Sequence, residues 1–163
     1  MQNELPKRKQ IRLKNYDYSD NGYYFITICT KNKKPLLWKS VGAAICRPEL
    51  SKYGKIAEKA IQGVSKHYSS VKIDKYVIMP DHIHLILIIN SDNGRQVAAP
   101  TVMRVIGNMK RFASKEAEFS LWQKSFYEHV IRDEADYKKI LEYMNTNVLK
   151  REIKERSLQK EGI

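Results

Sequence analysis

The chain has 163 residues, 42% of them hydrophobic, which is one domain by size and enough to bury a core. No run approaches the roughly 20 apolar residues of a membrane span, residues 1–10 are charged and unlike a signal peptide, and Cys29 and Cys46 are too few for a disulfide framework. A soluble cytoplasmic protein with no membrane partner is expected, and its net charge of +12 points to a polyanionic partner.

In chain order, residues 1–22 form a basic arm in which Lys7, Arg8, Lys9, Arg12 and Lys14 could lie along a phosphate backbone. Residues 23–30, YYFITICT, are rich in strand formers and predict the first core strand after a turn at Asp20-Asn21-Gly22. Residues 31–34 read as a polar turn and residues 35–38 as a short second strand, with a hairpin or loop over 40–48. From residue 50 the period changes. Tyr53, Ile56, Ala57, Ala60, Ile61 and Val64 recur at three and four, which predicts an amphipathic helix capped by Ser51. Residues 71–79 return to strand, and Pro80-Asp81 turns the chain into a further strand that starts at His82.

Beyond a loop at 91–96, residues 101–119 predict a second helix, with Val102, Val105, Ile106, Met109, Phe112 and Ala113 turned inward. Arg104, Lys110, Arg111 and Lys115 surround its other side, which is either a solvated face or one that grips phosphates. Residues 121–131 are aromatic and extended, suited to a sheet edge. Asp133 can cap a third helix from 134 to about 150, followed by a charged tail over 151–163. Strand, strand, helix, strand, strand, helix, helix describes an α+β domain, a mainly antiparallel sheet with helices packed on it.

Chemistry concentrates in residues 76–90, YVIMPDHIHLILIIN. Side chains alternate along a strand, so His82 and His84 share a face, roughly 6–7 Å apart along the chain. Ile83, Leu85, Leu87 and Ile89 occupy the other face of a strand that is apolar on both sides. Two imidazoles at the edge of a core need partners, either hydrogen-bonding groups or a divalent metal. On the third helix, Tyr137, Ile140, Leu141, Met144 and Val148 form the inward stripe, and Tyr143 and Asn147 lie four apart on its flank. They are either a half-buried pair of polar side chains or an oxygen nucleophile beside an amide ligand. Two imidazoles and an amide oxygen could hold a divalent ion that polarises a phosphoryl oxygen. Tyrosine, with a pKa near 10, attacks such a centre only once nearby charge is neutralised.

The segment PDHIHLILII resembles the histidine, hydrophobe, histidine motif of HUH endonucleases, and LWQKSFYEHVIRDEADYKKILEYMNTN resembles the C-terminal signature of the REP-associated tyrosine transposases, single-tyrosine enzymes related to insertion-sequence transposases. YFITICT, the following KPLL, and LSKYGKIAEKAI extend the likeness over residues 23–150. This resemblance implies a ferredoxin-like sheet and a DNA transposase that cleaves and rejoins single-stranded or hairpin DNA through a 5′-phosphotyrosine, acting as a monomer or homodimer. By the same likeness Tyr143 is the nucleophile, and His82, His84 and Asn147 hold Mg2+ or Mn2+. The chain departs from the family pattern after Asn147, where Val148-Leu149-Lys150-Arg151 replaces a continuation that begins with proline. Histidine triad hydrolases need a third histidine where Ile86 stands, and two-histidine phosphoesterases need a second motif that neither His67 nor His129 provides. The alternative from another class is a non-catalytic nucleic-acid-binding module of the same fold.

Overall fold

The computed structural model describes residues 22–39, 49–90 and 100–160. The basic arm with Lys7, Arg8, Lys9, Arg12 and Lys14, together with the loops expected over 40–48 and 91–96, lies outside the described residues. Strands β1 (Gly22–Cys29), β2 (Val71–Ile78), β3 (His82–Ile89) and β4 (Tyr127–Ile131) alternate with helices α1 (Lys52–His67), α2 (Val102–Ala117) and α3 (Glu134–Lys160). The strands form one sheet in the order β2-β3-β1-β4, with every neighbouring pair antiparallel. This is the ferredoxin-like α+β arrangement, and no helix among the described residues is long and apolar enough to cross a membrane.

The two central strands are apolar on both faces because both faces are covered. Tyr24, Ile26 and Ile28 of β1 and Ile83, Leu85, Leu87 and Ile89 of β3 are buried against α1 and α2. The opposite face carries Phe25 and Ile86, which pack beneath Ile140 and Met144 of α3. Burial of two such side chains contributes on the order of 3–6 kcal/mol, far less than the larger cluster under α1 and α2. Polar contacts therefore weigh more in fixing α3 than in fixing the other helices.

Helix ends follow the expected chemistry. Ser51 accepts from the amides of Tyr53 and Gly54, Thr101 accepts from that of Arg104, and the Asp133 carboxylate accepts from that of Asp136. The third helix runs to Lys160, ten residues past the expected end, and the change of sequence after Asn147 permits this because Val148 keeps the backbone amide that proline lacks.

Two expectations need correction. Residues 35–38 make no strand of the sheet, and Trp38 forms only an isolated bridge with Leu50. Their hydrogen bonds go elsewhere. The Leu37 amide donates to Pro80 O, the Trp38 indole donates to Ile78 O, and Leu37 O accepts from the Ser51 amide, so the segment crosses the first turn of α1. The polar turn expected at 31–34 is present, as a 3-10 turn over Lys31–Lys33. Phe112, expected inward, is 39% exposed, since it stands about 100° around α2 from the buried Ala113.

Strand β2 contains an irregularity that matters for the site. Ile73 pairs with Leu87 but Lys75 pairs with Ile86, which leaves Asp74 as the extra residue of a bulge. Val71 and Ile73 face α1 and α2 before it, and Tyr76 and Ile78 resume that face after it, while Val77 joins the cluster under α3.

The crossing of residues 35–38 over α1 depends on Gly54, where a Cβ would stand 2.1 Å from Leu37 O. Gly54→Ala is therefore expected to destabilise the fold by roughly 1–3 kcal/mol, the usual range for overpacking. Urea denaturation reads this directly, and an unchanged midpoint would mean that the crossing is not tightly packed.

Candidate functional site

Pairing of β1 with β3 sets the site. Thr27 stands opposite His84 and Cys29 opposite His82, so the β1 residues on the α3 face are the ones that meet the imidazoles. The His82 Nδ1–H donates to the Asp81 carboxylate at 2.7 Å, and His84 Nδ1 lies 2.9 Å from the Thr27 hydroxyl. The Phe25 ring stacks on His84 with centroids 5.3 Å apart. With both Nδ1 atoms engaged, the two Nε2 atoms face each other at 3.0 Å.

Helix α3 completes the cluster from above. The Asn147 carboxamide reaches the same His84 Nε2 at 3.4 Å. An Asn147 N–H donating there requires a lone pair on Nε2, and the amide turned over presents its oxygen instead. The Tyr143 ring stands edge-on to His84 with centroids 5.3 Å apart and edge-on to Phe25 at 6.2 Å. It is 49% exposed, and its hydroxyl has no hydrogen-bond partner among the described residues. His84, only 3% exposed, has its pKa lowered to about 4, first by burial and then by the charge of His82, so it is neutral at physiological pH.

The donor set fits a divalent ion. Two ligands bound at about 2.1 Å and at right angles to each other stand about 3.0 Å apart, which matches the Nε2 separation. Without a cation or proton between them, two lone pairs at that distance repel. The outer hydrogen bonds to Asp81 and Thr27 are of the kind that fix the tautomer of a metal-binding imidazole. Among the described residues no group of three His, Cys, Asp or Glu side chains converges, so any ion here has the two imidazoles and the amide, with positions left for other oxygens.

Of the residues singled out in the sequence, His82, His84, Tyr143 and Asn147 are brought together. Arg104, Lys110 and Arg111 are not, because α2 lies across the sheet from the histidines. Lys110 is further removed from the expected phosphate-facing role. Its ammonium donates to the carbonyls of Gln123, Lys124 and Ser125, tying α2 to the segment that leads into β4. Sequence reasoning missed Thr27, Phe25 and Asp81 as supports of the imidazoles. Alternation within YFITICT puts Phe25 and Thr27 on one face, and only the unassigned neighbour of that strand hid their role.

It also missed the contact that ties down α3. The Tyr137 hydroxyl donates to Asp74 at 2.5 Å, so the bulge in β2 holds the start of the helix that carries Tyr143 and Asn147. On the same turn, Asp136 accepts from His129 of β4 at 2.8 Å.

No family model matches the chain. An uncharacterised protein of Haemophilus influenzae is 34% identical over 160 residues, covering 86% of this chain and 87% of its own length. A putative REP-associated tyrosine transposase of the same organism is 26% identical over 143 residues, 82% of this chain and 74% of that protein. A solved structure of a REP-associated tyrosine transposase bound to a REP hairpin superposes with a TM-score of 0.62 at 20% identity, over 86% of this chain and 74% of that one. Strand order and pairing define a ferredoxin-like fold, with two histidines, a tyrosine and an asparagine clustered on one face of its sheet. The chain is thus similar in sequence to a protein named as a putative REP-associated tyrosine transposase and shares its fold with a solved member of that group.

The Tyr137 pKa is pushed up to about 12, first by its bond to Asp74 and then by burial. An unfolded tyrosine titrates near 10, so the stability from this contact is complete below about pH 10 and is lost as pH rises towards 12. In an ultraviolet titration of the folded protein, a tyrosinate fraction is expected to appear late and to vanish in Tyr137→Phe. A titration curve identical in the two proteins would contradict the contact.

Proposed function

We propose that this chain cuts and rejoins single-stranded or hairpin DNA through a covalent link to Tyr143. The observation that carries this reading is the Tyr143 ring 5.3 Å from His84, beside the convergence of two Nε2 atoms and the Asn147 amide. His82, His84 and Asn147 would hold Mg2+ or Mn2+, which when bound supplies Lewis-acid polarisation of a phosphoryl oxygen.

The half-exposed Tyr143 hydroxyl releases its proton to water, and its oxygen attacks the phosphorus of a phosphodiester. The bond from phosphorus to the 3′ oxygen breaks, that oxygen takes a proton from water, and a 5′-phosphotyrosine is left. Attack by a 3′ hydroxyl on this link reverses the step and frees the tyrosine. The bond is exchanged, not hydrolysed. Asp81 and Thr27 act through the imidazoles by holding each Nδ1, and the stacked Phe25 keeps water from the buried side of His84. The Tyr137 contact with Asp74 positions the helix that bears the nucleophile. The hairpin-bound relative supports DNA as the partner.

A labelled hairpin oligonucleotide incubated with the protein and Mn2+ is expected to give a covalent protein–DNA band on a denaturing gel, absent without the ion and absent in Tyr143→Phe. Tight binding with no covalent band in any condition would favour a non-catalytic module. His84→Ala is expected to weaken Mn2+ binding at least about tenfold while leaving salt-sensitive DNA binding nearly unchanged. Calorimetry with each ligand separates the two, and equal loss of both would mean that the imidazoles serve the fold.

A further inference from the structure

Across the sheet from the histidines, α1 and α2 leave between them a groove of about 560 Å3. Lys59, Gly63 and Lys66 of α1, four and then three residues apart, form one wall, and Arg111, Phe112 and Lys115 of α2 form the other. Its lining includes four Lys or Arg side chains and no carboxylate. The nearest acid paired with the rim is Glu116, 3.6 Å from the Lys59 ammonium and largely exposed with it, a pair of the kind that contributes little.

The interior of the groove is not cationic. The Phe112 ring is 39% exposed within it, with the Lys59 ammonium 5.7 Å from its centroid. Tyr68 lines one end, its hydroxyl held by the Asn108 amide at 2.6 Å and its ring edge-on to His67. Gly63 sits in the middle of α1, where glycine costs about 1 kcal/mol relative to alanine, yet a Cβ there would meet nothing within 4 Å. What its missing side chain preserves is open space in the groove. Flat rings inside and positive charge along the rim match a ligand with flat apolar faces on an anionic backbone. Free phosphate would use only the rim, and an apolar peptide only the interior.

We propose that this groove binds a single-stranded segment of nucleic acid, separate from the strand presented to Tyr143. The wall from Lys59 to Lys66 spans about 10 Å, room for about three stacked nucleotides at roughly 3.4 Å each. Such a contact on the far face would hold DNA flanking the phosphate that reacts. It does not depend on the covalent chemistry.

The test uses the full chain carrying Tyr143→Phe, so no covalent link to that residue contributes to the result. The probe is a fluorescein-labelled oligothymidylate, with a bromouracil-substituted copy for photocrosslinking. Crosslinks are expected on peptides containing Tyr68 or Phe112. Lys66→Glu with Arg111→Glu is expected to weaken binding at least tenfold and to lower the slope of log affinity against log salt by about 0.7 for each phosphate that is no longer neutralised. Gly63→Leu should block the groove and weaken binding without lowering the melting temperature. If the charge-reversed protein fails to fold, Lys66→Gln with Arg111→Gln gives the same comparison with a smaller expected loss. Crosslinks confined to β3 and α3, or binding unchanged by Gly63→Leu, would overturn the proposal. So would groove variants that abolish self-association or a protein contact while oligothymidylate binding stays intact.

Discussion

Two imidazole Nε2 atoms stand 3.0 Å apart on the face of the sheet beneath α3, a separation bridged by a proton on one of them or by a cation that both could bind. The rest of the site follows from how the fold holds them there. Both rings are fixed from behind, His82 by Asp81 and His84 by Thr27, and Phe25 closes the side of His84 away from solvent. Burial, and then the charge of His82, keep His84 neutral near physiological pH, so one of its ring nitrogens retains a lone pair. The arrangement is a consequence of strand register. A shift of one residue between β1 and β3 would turn Thr27 and Phe25 to the opposite face and leave His84 against apolar side chains.

The second constraint lies on α3. Among the side chains of α3 whose burial is described, Ile140 and Met144 are the buried ones, and they fix the helix together with the polar ties at Tyr137, Asp136 and Asn147. The bulge at Asp74 turns a carboxylate of an edge strand towards Tyr137 and, in the same step, restores the alternation that keeps Tyr76 and Ile78 against α1. One extra residue in β2 thus serves the core on one face and the helix on the other.

Much of this was legible in sequence because it depends on periodicity and local spacing. The paired histidines, the stripe of α3 with Tyr143 and Asn147 on its flank, and the Ser51 and Asp133 caps are all short-range patterns. Residues 35–38 misled because their apolar pattern suits a strand, whereas their hydrogen bonds go to Pro80, Ile78 and Ser51, partners far along the chain. Thr27 and the Asp74–Tyr137 contact were hidden for the same reason, since both arise only when strands and helix meet. Lys110 looked like one more cation of an exposed face, and only the path of residues 123–125 shows where its ammonium goes.

The sheet divides the protein into a face with the paired imidazoles beneath α3 and a face with the basic helices. On the first face both imidazoles, the Asn147 amide and the Tyr143 ring meet at one point, where the proposed ion would bind. Pulsed electron paramagnetic resonance of the Mn2+-loaded protein measures this most directly, because it counts the nitrogens coupled to the metal. Two imidazole nitrogens are predicted, falling to one in His82→Ala. A spectrum of fully hydrated Mn2+ with no nitrogen coupling would contradict the central claim.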